Sequence, residues 1–325
     1  RPKVNGTFIN VEAYATDIQQ GFTHTYALLM RHKEEMLAPT GPIAAFADVE
    51  VRYIPRATNL YSKLLYESYH PDMLRNNLVR ERFLDKLWLQ VEVRPYLAQI
   101  IESEQIDMHH GDVPHFVTRP LSVDIWDARG LRIENLFEQS GLELVYERLQ
   151  KLNPEDLARQ LWFIEASFTS LSLSDGHASW PFQTFAPPTE GAATQALLTA
   201  ARQVGDRLQF LALEDSGGVG WIGLTLANEK HWMLSPMGAD LYSGTGGIAL
   251  FLAYLGEITQ EEGYTKLAKQ ALQNMLAQLD FIKGKTNAIG GFSGYGSIIY
   301  TLTHLAALWQ QPDLLDHAEG LIDYL

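Results

Sequence analysis

The chain has 325 residues, 46% of them hydrophobic, enough to pack a core in each of two domains. Its 25 Lys and Arg face 39 Asp and Glu, and the formal charge of -14 disfavours non-specific attachment to nucleic acid or anionic membrane. The absence of cysteine excludes disulfides, a thiol nucleophile and Cys-ligated zinc within these residues.

No apolar run of transmembrane length and no charged-then-apolar leader is found, so the expected compartment is the cytoplasm. The chain opens on Arg1 and stops at "GLIDYL" inside a helical pattern, and both ends read as cut from something longer.

Val11, Tyr14, Ile18, Phe22, Tyr26, Leu29 and Met30 recur at helical spacing and predict one long or broken helix over 9–37, ended by "GPIAAF". "VEVRYIPRAT" (49–58) alternates and is rich in β-branched residues, but Pro55 confines it to an edge strand or an extended loop. "NLYSKLLYES" is then helical, and "HPD" breaks it because a residue before proline is pushed out of the α region. The pattern is helical again over 73–104. Two or three further helices are expected over 131–174, with Asn153-Pro154-Glu155 as a start signal. The first 170 residues are therefore expected to be mostly helical.

Within them, "HHGDVPHF" (109–116) looks like the catalytic loop of a kinase-like phosphotransferase, in which an Asp takes the acceptor's proton. That loop continues to a metal-holding Asn, and Asp112 is followed by Val113, Pro114, His115, Phe116 and Val117. His110-Gly111-Asp112 therefore reads as a structural or peptide-side element. His109, His110 and His115 do not make a zinc cluster, since no carboxylate pair stands at ligand spacing and adjacent His residues on a strand point apart. Asp112 and His115 are expected to hydrogen-bond each other and hold "PHF" in place.

The stretch 174–195, rich in Ser, Pro, Gly and Thr, is the clearest composition shift and the expected domain boundary. A helix at about 192–213 and a hairpin in "WIGLTLANEKHWML" lead into a repeat. "LYSGTGGIALFLAYL" (241–255) and "GFSGYGSIIYTLTHL" (291–305) align without gaps at an offset of fifty residues. Each copy runs from Gly-rich turn chemistry into an apolar helix, and the amphipathic "EEGYTKLAKQALQNMLAQL" follows the first. Buried inner and amphipathic outer helices repeated at this period predict α/α hairpins of a toroid or solenoid. No strand precedes the Ser-Gly-x-Gly runs, so a dinucleotide site is not indicated. Asp240, just before the first copy, reads as a capping or turn residue.

The ordered series "FINVEAYATDIQQGFTHTY", "VRYIPRATNLYSKLLYESYHPDMLR", "GDVPHF", "WIGLTLANEKHWMLSPMGADLYSGTGGIALFLAYLG" and "GGFSGYGSIIYTLTHL" resembles the central part of class II lanthipeptide synthetases, the bifunctional LanM family. It covers nearly the whole chain. The resemblance implies a mainly α fold: the C-terminal part of a kinase-like dehydratase over 1–180, a linker helix and hairpin over 181–225, and the truncated start of a LanC-like α/α-toroid cyclase over 226–325.

Such an enzyme phosphorylates Ser and Thr of a precursor peptide, eliminates phosphate to leave dehydroalanine and dehydrobutyrine, and adds peptide Cys thiols to them. The implied partner is a precursor peptide with a leader and a Ser/Thr/Cys-rich core, with no nucleic acid and no transmembrane segment. ATP, Mg²⁺ and Zn²⁺ are implied for the full-length protein and none for this fragment, which alone is expected to be inactive. The phosphotransfer residues are implied to lie upstream of Arg1, and the two Cys and one His that hold the cyclase zinc in later repeats.

By the same resemblance Arg52 and Thr58, six positions apart, serve phosphate elimination, with Arg56 a neighbour able to substitute or assist. A guanidinium neutralises a leaving phosphate bidentately and a hydroxyl donates to a remaining oxygen. From composition alone the bland reading is a solvated edge-strand face. Two other classes stay open: a non-catalytic helical scaffold that binds peptide, and an α/α-toroid carbohydrate-active enzyme. The latter needs an acid/base carboxylate pair that the apolar inner helices lack.

Overall fold

The structure is a computed structural model that describes residues 3–174, 193–215, 217–228, 231–284 and 288–325. The chain is mainly helical and divides into two compact units, one of residues 21–157 and one of 1–20 with 158–325. The composition shift expected as a domain boundary falls largely on 175–192, outside the described residues.

A two-residue hairpin, β1 (Lys3–Val4) with β2 (Thr7–Phe8), precedes α1 (Ala15–Arg31) and α2 (Lys33–Leu37), so the long periodic segment is indeed broken, at His32. Next come β3 (Val51–Tyr53), α3 (Thr58–Ser68) and α4 (Asn77–Leu84), whose N-cap Asn76 accepts from the Val79 N–H at 3.0 Å. The helical pattern over 73–104 does not make one helix. Two 3-10 segments, Asp85–Gln90 and Pro95–Gln99, separate α4 from α5 (Ile101–His110), and Arg94 is forced towards extended backbone by Pro95.

"LRIENLF", expected as the start of a helix, instead holds β6 (Arg132–Ile133). It closes a four-stranded antiparallel sheet of order β3, β4 (Phe116–Thr118), β5 (Ile125–Trp126), β6. Strands of two or three residues carry no readable period, and that is why the sheet was missed. Register places Tyr53, Phe116, Ile125 and Ile133 on one face, and Arg52, Val117, Trp126 and Arg132, which lie in one row, on the other. Successive side chains on a strand alternate faces. The first face closes on Leu97, Ile100 and Leu136, and α5 turns Ile101 and Met108 towards a second small core with Tyr61, Leu64, Leu84 and Leu87.

In α6 (Gly141–Gln150) a capping box joins Ser140 and Glu143, and α7 (Pro154–Ser174) begins where Asn153-Pro154 predicted it. Asn153 Oδ1 accepts from the Asp156 N–H at 2.8 Å.

The second unit adds α8 (Ala193–Leu211), a hairpin of β7 (Leu213–Asp215) and β8 (Gly218–Gly220), and the expected hairpin of β9 (Ile222–Asn228) and β10 (His231–Pro236). The repeat becomes the inner helices α9 (Thr245–Thr259) and α11 (Tyr295–Trp309), followed by α10 (Glu262–Ile282) and α12 (Asp313–Glu319).

The two copies agree beyond their letters. The Thr245 N–H donates to Gly238 O and the Tyr295 N–H to Ala288 O, and both inner helices end on a Gln in left-handed backbone, Gln260 (φ 58°) and Gln310 (φ 53°). A Cβ on Gly256 would lie 2.3 Å from Thr265 Oγ1, which sets how closely α9 approaches α10. One apolar core runs through the unit, with Leu252, Ala268, Met275, Leu302 and Leu305 all 0% exposed. Asp240 takes the turn role read from sequence: its Oδ1 accepts from the Ser243 N–H at 2.7 Å, just before α9.

Candidate functional site

The stretch that prompted a phosphotransfer reading is a helix end. His109 and His110 belong to the last turn of α5, not to a strand, and Gly111 follows at φ 90°. The Gly111 N–H donates to Met108 O and the Asp112 N–H to Asp107 O, the two bonds of a Schellman motif. Arg80 covers the same carbonyl end, donating to Met108 O (2.9 Å) and His109 O (3.1 Å) while its guanidinium stacks on Tyr69.

Asp112 and His115 are not hydrogen-bonded partners. The His115 N–H donates instead to Asp107 Oδ2 at 3.4 Å, and burial raises the Asp107 pKa above the ordinary carboxylate value. Among the described residues no group of three or more His, Cys, Asp or Glu stands where a metal ion could be held.

The segment with Arg52, Arg56 and Thr58 is a strand-to-helix junction. β3 is an edge strand, as Pro55 suggested, and Arg52 lies opposite Val117 in the row away from the core. Two other arginines belong to this sheet's outer side, and both have partners. Arg132 Nη2 bonds Asp124 Oδ2 at 2.5 Å, and Arg119 stacks on Trp126 at 5.2 Å and reaches Glu50 at 3.4 Å. Arg52 is exposed, with no side-chain hydrogen bond or ion pair among the described residues. Thr58 is exposed as well and is the first residue of α3.

Arg56 is placed differently from the neighbour expected to assist Arg52. Its side chain is fully buried, and Nε and Nη2 donate to the two oxygens of Glu104 at 2.7 and 3.1 Å while Nη1 donates to Gln90 Oε1 at 2.9 Å. The Tyr61 hydroxyl donates to the same Glu104 Oε1 at 2.5 Å, and burial, reinforced by the Glu104 charge, raises its pKa. A guanidinium committed in this way suits holding the backbone rather than meeting a ligand.

Glu104, Tyr61 and Gln90 were not singled out from sequence. A signal was present: Ile100, Ile101, Glu104, Asp107 and Met108 share the apolar spacing of α5, and a Glu on a buried face must find a cation.

The Asp residues of the sheet's far end stabilise its turns. The Asn135 N–H, followed by Arg132, holds the Asp124 pKa below the ordinary carboxylate value. Burial acts to raise Asp127, but Arg129 and the Leu131 N–H outweigh it and the net shift is downward.

Residues 235–323 match the family model described as lanthionine synthetase C-like protein, and residues 1–119 match one described as a domain of unknown function, DUF4135. The chain is 24% identical over 276 residues to the lacticin 481/lactococcin biosynthesis protein LcnDR2 of Lactococcus lactis subsp. lactis. That alignment covers 83% of this chain and 28% of the relative, so the chain spans less than a third of the relative's length. The DUF4135 match stands ahead of the LanC-like match, in the order read from the motifs, and together with this relative it supports the resemblance to class II lanthipeptide synthetases, the LanM family.

Proposed function

We propose that the chain is a segment of a bifunctional lanthipeptide synthetase, with the elimination side of the dehydratase over 1–180, a linker over 181–225 and the first hairpins of an α/α-toroid cyclase over 226–325. In the longer protein the dehydratase phosphorylates Ser and Thr of a precursor peptide and expels the phosphate. The cyclase then adds Cys thiols to the dehydro residues, giving lanthionine and methyllanthionine. ATP and Mg²⁺ serve the first step and Zn²⁺ the last. This chain has no Cys, so its own residues do not supply the zinc site, and the segment alone is inactive. The compartment is cytoplasmic; no described helix is long and apolar enough to cross a membrane.

One observation carries the elimination role: of the three arginines on the outer side of the sheet, Arg52 alone has its guanidinium uncommitted among the described residues. In β-elimination a base removes the α-proton, its electron pair becomes the Cα=Cβ bond, and the Cβ–O bond breaks with its pair going to phosphate. Negative charge therefore grows on the leaving group. Arg52 neutralises it bidentately, and the Thr58 hydroxyl donates to a remaining oxygen. Thr58 also opens an 11-residue helix, whose N-terminal N–H groups favour an anion.

The test of the overall reading is coexpression of the full-length protein with a Ser/Thr/Cys-rich precursor. Successive losses of water, then loss of thiol labelling at constant mass, are the expected result. An unchanged mass, with folding and precursor binding verified, favours the non-catalytic scaffold.

A further inference from the structure

The exposed pair at the junction is held by groups that cannot touch a peptide. Glu104, on α5, binds Arg56 with both carboxylate oxygens and takes the Tyr61 hydroxyl on one of them. Arg56 lies two residues before Thr58 and Tyr61 three after it, so one carboxylate grips α3 on both sides of its first residue. The N-cap of this helix, Ala57, makes no side-chain cap bond. Gln90 completes the set from a 3-10 segment between α4 and α5.

A fully desolvated ion pair is weak evidence for stability, since apolar residues of similar volume often do as well. It does fix direction: the guanidinium fork meets a carboxylate in one plane, and here that plane is tied to two further donor and acceptor groups.

We propose that Glu104 and Tyr61 are positioning residues for phosphate elimination, holding Arg52 and Thr58 at a fixed separation and orientation through Arg56. The proposal rests on the reading of Arg52 and Thr58 given above. Displacement of a catalytic group by about 1 Å costs up to about 10²-fold in rate, and the network governs displacements of that size.

The experiment uses the full-length enzyme and separates the two chemical steps. Phosphorylation is followed with ATP and precursor, and elimination is followed by supplying a precursor synthesised with phosphoserine or phosphothreonine. Tyr61→Phe removes one hydroxyl and should slow elimination about 10-fold, and Glu104→Gln about 10²-fold, with phosphorylation at the wild-type rate and phosphopeptide accumulating. A merely structural role would lower both steps together, along with the melting temperature.

Equal loss in both steps, or wild-type elimination in both variants, overturns the proposal. Should Glu104→Gln fail to fold, Tyr61→Phe decides alone. Arg52→Ala run alongside distinguishes the two levels. If it accumulates phosphopeptide while Tyr61→Phe and Glu104→Gln eliminate normally, only the positioning role fails. If Arg52→Ala eliminates normally, the elimination reading fails and the positioning role with it.

Discussion

The β3–α3 junction and the α9–α12 hairpins achieve order by opposite means. The hairpins repeat one solution: inner helices with matched caps, close contacts at glycine and an unbroken apolar core. The junction repeats nothing. A three-residue strand and a helix start without a side-chain cap bond meet beside one buried, charged network of Arg56, Tyr61, Gln90 and Glu104. Periodic packing spreads stability over many interchangeable contacts, whereas a polar network concentrates it in a few groups that cannot be exchanged singly.

Mutation should expose that difference. The largest loss is expected for Glu104→Leu, which leaves the Arg56 charge buried and unpaired at a cost of about 3–5 kcal/mol. The double variant Arg56→Met/Glu104→Leu should recover much of it, and denaturant unfolding of the four members of the cycle measures the coupling. In the hairpins, Leu252→Ala should cost about 2–5 kcal/mol through cavity formation, with no partner whose removal restores it.

Gly256→Ala should cost about 1–3 kcal/mol by overpacking against Thr265, and adding Thr265→Ala, which removes Oγ1, should not remove the whole cost, because the Thr265 backbone N lies only 2.9 Å from the added Cβ.

The smallest effect is one of pH. The folded Asp124 pKa lies below its unfolded value, so its contribution is present above about pH 4 and is lost as pH falls through the folded value. The melting-temperature gap between wild type and Asp124→Asn should therefore narrow on acidification through that range. A gap that stays constant would show that the carboxylate charge contributes nothing there.

The same contrast explains what could be read from the letters. The repeat, the hairpin at 221–234 and the Asn153-Pro154 start were legible because period and cap chemistry are local. The edge strand was legible through Pro55. The sheet behind it was not, because β4, β5 and β6 are too short to show alternation, and "LRIENLF" has helical composition that tertiary pairing overrides. His110-Gly111-Asp112 was recognisable as structural only by the missing Asn; its Schellman bonds depend on α5 reaching His110. Arg52 and Thr58 came from family resemblance, and nothing local distinguished the exposed Arg52 from the buried Arg56 four residues on.

The central claim is that an uncommitted guanidinium on this edge strand expels phosphate. Its most direct test is the Arg52→Ala variant of the full-length enzyme, incubated with ATP and precursor and followed by mass spectrometry with phosphatase treatment of the products. We expect elimination to slow by about 10²-fold to 10³-fold, by analogy with loss of one oxyanion-hole donor, and phosphorylated precursor to accumulate. Dehydrated peptide appearing at the wild-type rate, with no phosphorylated species, would contradict the account.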